Sequence, residues 1–137
     1  MINAISIALS GLGAAAKKVN AVASNIANIS TAGSLDNPQS APYTPITTQQ
    51  TTISDGRGNP AGVRSDYAPK ANPFVPVYQP DSPFANSEGL VGLPNVDLAE
   101  EAVNLQIASA SYKASVSVLK TQEDMTNEML RLFDKKA

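Results

Sequence analysis

All ten prolines of this chain lie between Pro38 and Pro94, and the flanks on either side hold none. Proline removes a backbone donor and its ring clashes with the preceding turn, so helix interiors exclude it. The distribution divides the 137 residues into an N-terminal helical segment (1–37), a proline-rich middle (38–94) and a C-terminal helical segment (95–137). The expected fold is mainly α. Long N- and C-terminal helices pack as a coiled-coil-like hairpin, and a small irregular or β segment with a short hairpin joins them.

In the first flank, Ile2, Ile5, Leu9, Leu12, Ala16, Val19, Ala23 and Ile26 follow one another in alternating steps of three and four. That heptad spacing aligns them on one seam. It predicts a helix from Ile2 to Ile29, with Gly33 as a candidate C-terminal cap. The other faces carry small residues such as Ala8, Gly11, Ala14, Ala15 and Ala21. Gly11 and Gly13 each cost about 1 kcal/mol relative to alanine in a helix. They mark either a soft spot or a place where neighbouring helices come close. Asn25 and Asn28 sit one turn apart near the helix end. Either they cap the last carbonyls, or they set register between helices as a buried asparagine does in a coiled coil.

The second flank opens with Asp97 as N-cap and Glu100 three residues on, a variant of the capping box. Glu100 and Glu101 suit the positive end of the helix dipole, and Lys135 and Lys136 suit the negative end. Leu98, Ala102, Leu105, Tyr112, Val116, Leu119, Leu130 and Phe133 form one apolar stripe. Val103, Ile107, Ala110, Ala114, Val118, Met125, Met129 and Leu132 form a second beside it. Two stripes call for more than one packing partner. The candidate subunit-packing seam is therefore Ile5, Leu9, Leu12, Val19, Asn25, Ile26 and Asn28 with Leu98, Leu105, Tyr112, Val116, Leu119, Leu130 and Phe133.

Between the flanks, residues 44–53 are rich in threonine and isoleucine and read as a strand. Ser54-Asp55-Gly56-Arg57-Gly58-Asn59-Pro60 is a turn signal, and Gly62-Val63-Arg64-Ser65 returns as a short second strand. Phe74-Val75-Pro76-Val77-Tyr78 alternates, with Pro76 confining it to an edge.

Composition argues against most chemistry. The chain has no histidine and no cysteine, which removes the commonest general base, the commonest metal ligand and the thiolate. Ser117 and Lys120 match a bare Ser-x-x-Lys spacing without its partner motifs, and they read as the solvated side of a helix. No carboxylate pair is singled out. With a net charge of −2 and no basic stripe, nucleic acid is not an expected partner. No enzymatic activity, cofactor, metal or small-molecule substrate is expected. The apolar stretch 4–16 is shorter than the roughly 20 residues a spanning helix needs. Lys17 and Lys18 follow it rather than lead it, unlike a cleaved signal.

Several stretches resemble a known family. Ala23-Ser24-Asn25-Ile26-Ala27-Asn28, with Ala8-Leu9-Ser10-Gly11-Leu12 before it, looks like the opening helix of flagellar rod, hook and hook-associated proteins. Gly62-Val63-Arg64, Tyr78-Gln79-Pro80-Asp81-Ser82-Pro83 and Glu88-Gly89-Leu90-Val91-Gly92-Leu93-Pro94-Asn95-Val96-Asp97 are similar to flagellar basal-body rod proteins, and among them to a proximal rod protein. So is Ala108-Ser109-Ala110-Ser111-Tyr112-Lys113-Ala114-Ser115-Val116. The resemblance implies a structural subunit of the periplasmic rod that polymerises through its terminal helices, transmits torque and lines the export channel. It implies copies of itself, other rod proteins, the membrane ring and the flagellar export apparatus as partners. It further implies export without a cleaved signal peptide. A sibling axial rod protein, or a soluble helical adaptor for a partner coiled coil, are the alternatives.

Overall fold

The computed structural model describes residues 2–134. Lys135 and Lys136, expected to complement the end of the second helix, lie outside the described residues, as does the side chain of Ile2. Helix α1 spans Ile2–Ala27 and runs unbroken through Gly11 and Gly13. It ends two residues before the expected Ile29. There Asn28 N donates to Ser24 O at 3.1 Å, and Asn28 Nδ2 donates to the same carbonyl at 2.8 Å. This satisfies one of the carbonyls a helix end orphans. Gly33 is not the cap: it forms an antiparallel bridge with Gly92, with N–O distances of 3.0 and 2.9 Å.

The middle segment is more ordered than the sequence suggested. Strands β1 (Ile46–Ser54) and β2 (Pro60–Pro69) pair antiparallel from Ile46 opposite Pro69, with a register shift at Ile53/Ser54. Strands β3 (Phe74–Tyr78) and β4 (Leu90–Pro94) form a second antiparallel pair. Helix α2 then spans Leu98–Asp134, opened by Asp97, whose Oδ1 accepts from Ala99 N at 2.8 Å.

The expectation of a mainly α fold is therefore corrected. Helices of 26 and 37 residues share the chain with strands of 9, 10, 5 and 5 residues in two antiparallel sheets, which makes the fold mixed α/β. Strand β2 reaches its length because its two prolines, Pro60 and Pro69, fall at its ends, where no ladder donor is lost. Strand β4, Leu90-Val91-Gly92-Leu93-Pro94, is not among the strands expected from the sequence. It becomes a strand because β3 on one side and Gly33 on the other supply its partners.

The turn between β1 and β2 is organised by Asp55. Its Oδ1 accepts from Arg57 N and Asn59 N, both at 2.8 Å, and Oδ2 accepts from Asn59 Nδ2 at 3.1 Å. These bonds favour the charged carboxylate, led by the Asn59 side chain, and hold its pKa below the usual value of 3.8.

The helices run antiparallel, since Asn25 meets Glu101 at one end and Gly11 meets Ser115 further along. The α1 face they share is not the heptad seam. The buried α1 residues are Ala8, Ala14, Ala15, Ala21, Val22 and Asn25, and the buried α2 residues are Glu101 and Ala108. Small side chains let two helix backbones approach closely, so the alanine face pairs within the chain and the larger residues face outward. The hairpin of β1 and β2 packs against α1.

Candidate assembly interface

The helix pair is close along its length. A Cβ built on Gly11 would lie 2.9 Å from Ser115 Oγ. Registering Asn25 with Glu101 and Gly11 with Ser115 places the start of α1 opposite about residue 124 of α2, by 1.5 Å rise on both helices. The last turns of α2 therefore extend past α1, and every residue from 123 to 134 is exposed.

Asn25 bridges the two helices in this register. It is 1% exposed, and its carboxamide makes four hydrogen bonds. Nδ2 donates to Ile46 O and to Glu101 Oε1, each at 2.8 Å. Oδ1 accepts from Ile46 N at 2.9 Å and from Tyr43 OH at 3.1 Å. A carboxamide has two donor hydrogens and two acceptor lone pairs, so this group is fully used. One side chain thus joins α1, the start of β1 and the first turn of α2. Tyr43 OH also shares a hydrogen bond with Ser24 Oγ at 2.8 Å. Asn28, by contrast, caps its own helix end. Asn25 therefore bonds across to α2, whereas Asn28 bonds back to its own helix end.

Three more α1 and α2 contacts hold the first hairpin in place. Ser10 Oγ accepts from Val63 N at 3.1 Å and donates to Ile7 O at 2.7 Å. Lys17 Nζ donates to Ser65 O, lies 3.5 Å from Asp66 Oδ1 and stands 5.7 Å from the Tyr67 ring centroid. Lys70 Nζ pairs with Glu100 Oε2 at 2.6 Å, tying the end of β2 to the first turn of α2. Gly62, with φ of +132°, lets the strand backbone rest on Ser10: a Cβ there would lie 2.4 Å from Ser10 Oγ. Sequence reasoning placed none of these four residues in a site, and it assigned Glu101 to the helix start alone. Glu101 is 3% exposed and is the partner of Asn25. Nothing in one chain's spacing could reveal contacts that span 76 residues.

The remaining seam residues are distributed unlike a core. On α1, Ile5, Leu9 and Ile26 are exposed, while Leu12 and Val19 are half-buried. On α2, Leu98, Leu105, Tyr112, Leu130 and Phe133 are exposed, while Val116 and Leu119 are half-buried. Leu9 is 53% exposed, Leu130 60% and Phe133 73%. The second stripe behaves alike, with Val103, Ile107, Val118, Met125, Met129 and Leu132 exposed.

Two hollows lie where the hairpin meets the helices. One, about 120 Å³, is bordered by Lys18, Lys70, Ile46, Glu100 and Glu101. The other, about 490 Å³, is bordered by Gly11, Ala15, Lys18, Thr48, Gln50 and Ser111. Among the described residues no group of three potential metal-binding side chains gathers, and no helix is long and apolar enough to cross a membrane.

Comparison with known proteins agrees with the geometry at both ends of the chain. Residues 5–33 match the family model described as flagella basal body rod protein. Residues 88–132 match the model described as flagellar basal body rod FlgEFG protein C-terminal. The chain is 35% identical over 133 residues to the flagellar basal-body rod protein FlgC of Escherichia coli O157:H7, covering 96% of this chain and 97% of that protein. It has the same identity and coverage against FlgC of Salmonella typhimurium. It is 33% identical over 137 residues to FlgC of Buchnera aphidicola from Acyrthosiphon pisum, covering 98% of each. Helices, linking strands and near-complete coverage together place the chain in one family: it belongs to the flagellar basal-body rod proteins of the FlgC type, structural subunits of the bacterial flagellar rod.

Proposed function

We propose that the subunit polymerises through the apolar faces that its two helices leave open, and that the assembled helices transmit torque and line the export channel. One observation carries this reading. The chain buries alanines between its helices while leaving Leu9, Leu98, Leu105, Tyr112, Leu130 and Phe133 exposed. Folded chains normally bury large apolar side chains first. Covering a leucine or phenylalanine side chain is worth about 1.5–3 kcal/mol, so a row of them favours association strongly. The seam Ile5, Leu9, Leu12, Val19 and Ile26 on α1 faces neighbouring subunits in this reading, as do Leu98, Leu105, Tyr112, Val116, Leu119, Leu130 and Phe133 on α2. Asn25 and Asn28 shape the subunit that presents them.

The same reading makes the flanks 1–37 and 95–137 the helical core of the rod, with 38–94 as an outer segment braced on α1. Copies of this chain, other rod proteins and the membrane ring are the neighbours. The rod stands in the periplasm, and the chain reaches it through the flagellar export apparatus with its N-terminus uncleaved. Replacing Leu9 or Leu130 with aspartate tests the packing claim. Both are exposed in the lone subunit, so its stability should change by no more than about 0.5 kcal/mol. Swimming should nevertheless be lost. Normal motility in both variants would remove these faces from the assembly surface.

A further inference from the structure

Each outer strand edge can be read from its hydrogen-bond phase. Lys70 N donates to Pro45 O at 2.8 Å, which makes these two residues a bonded pair. Bonded pairs alternate along an antiparallel ladder, so Ile46, Thr48, Gln50 and Thr52 turn their N–H and C=O groups away from β2. The Asn25 carboxamide, which bonds both groups of Ile46, agrees with that phase.

Three of the four edges are interrupted. On β2, Ser10 takes Val63 N–H and Lys17 takes Ser65 C=O. On β3, Pro76 faces outward and has no N–H to offer. On β4, Gly92 is bonded to Gly33, and Leu90 to Asn86. On β1, Asn25 covers Ile46, and from Thr48 to Thr52 no described residue bonds the outward groups. The strand itself, Ile46–Ser54, contains no charge, proline or glycine. Natural edge strands carry such residues to block pairing with other chains. Here that protection is absent over one stretch of an otherwise guarded molecule.

We infer that the β1 edge from Thr48 to Thr52 receives an extended segment without basic residues from another rod component, which joins the hairpin as its third strand. The edge is about 17 Å long at roughly 3.3 Å per residue. It offers an N–H and a C=O at each of Thr48, Gln50 and Thr52, the means by which an added strand binds a sheet. The strand's own threonine and glutamine side chains carry no charge, and Lys18, which borders the hollow with Thr48 and Gln50, disfavours a basic partner strand. A second copy of this chain is a poor occupant. Its other edges are interrupted, so it could offer only its own β1, and two identical edges close on a two-fold axis and stop. The inference rests on the reading that this chain is built into the rod beside other components.

Amide exchange on isolated basal bodies, followed by dissociation and quenching, tests it. Relative to the free chain, Thr48, Gln50 and Thr52 amides should slow by at least about tenfold on gaining a partner strand. Gln49 and Thr51, already bonded to β2, should change little. Gln50→Pro deletes one outward N–H and spares the bonds to β2, whereas Thr51→Pro deletes an inward one. Gln50→Pro should keep the free hairpin's exchange pattern and still lower the subunit's content in basal bodies by about tenfold or more, the factor that loss of about 1.4 kcal/mol produces. A photo-crosslinker at Thr52 should join a strand of a different component. Unchanged exchange at 48–52 in basal bodies that contain the subunit, or normal incorporation of Gln50→Pro, overturns the edge inference and leaves the rod reading standing. A crosslink to β1 of a second copy overturns the choice of occupant. Absence of the subunit from basal bodies removes both readings.

Discussion

Replacing Asn25 with alanine removes a group that three parts of the chain share. Four hydrogen bonds disappear, and their former partners differ in what they retain. Tyr43 OH keeps its bond to Ser24 Oγ. The N–H and C=O of Ile46 and the Glu101 carboxylate oxygen lose their partner in a site where Asn25 is 1% and Glu101 3% exposed. Each orphaned buried group costs about 1–3 kcal/mol, with the charged one at the upper end. The adjoining hollow of about 120 Å³, bordered by Ile46 and Glu101, is large enough to admit water and offset part of this. The expected loss is about 3–5 kcal/mol, a large share of the stability of a small domain. Asn25→Asp should be worse still at neutral pH. It keeps the shape, but it sets a second carboxylate 2.8 Å from Glu101 Oε1 and loses the donor to Ile46 O. Urea denaturation of the purified subunit followed by circular dichroism measures both, and the exchange rate of the Ile46 amide localises the damage. A loss below about 1 kcal/mol for alanine, or aspartate tolerated better than alanine, would refute the reasoning.

Two further outcomes follow from single positions. At Gly13 an added Cβ meets nothing within 4 Å, so Gly13→Ala should raise stability by about 0.5–1 kcal/mol through helix propensity. Gly11→Leu, 2.9 Å from Ser115 Oγ at its Cβ, should lower stability by about 1–3 kcal/mol by wedging the helices apart; equal responses at the two glycines in thermal melts would contradict this pairing. Asp55 is held below its usual pKa by Asn59 and Arg57, so its contribution to the β1–β2 turn is fully present above pH 3.8 and is lost as pH falls through the lower folded value. A carbon-13 titration of the Asp55 carboxyl should show that depressed midpoint, and a midpoint at or above 3.8 would contradict the turn geometry.

Both helices were legible because their signals are local. Proline exclusion bounded them, and Asp97 marked the start of α2. The pairing face was not, because a heptad of large residues looks like a helix partner's seam whether that partner lies in the same chain or in another. Ile5, Leu9 and Ile26 carry the pattern, yet Ala8, Ala14, Ala15 and Ala21 carry the intramolecular contact. The hairpin turn was legible from Asp55 to Asn59, since its bonds close within a few residues. The length of β2, the existence of β4 and the partnership of Asn25 with Ile46 and Glu101 were not. Each depends on a segment far along the chain, such as Gly33 for β4, and local propensity carries no record of that.

If the subunit polymerises through its apolar faces, the exposed seam is covered when the subunit is in the rod. The natural sequence contains no cysteine, so single cysteines can be placed at Leu9 and Leu130 and read without background. Their reaction rates with a maleimide should be measured on the free subunit and on isolated basal bodies. Both sites should react fast in the free chain, where these side chains are 53% and 60% exposed, and at least about tenfold slower in the assembled rod. Equal rates in the two states, with the subunit confirmed in the basal bodies, would contradict the claim.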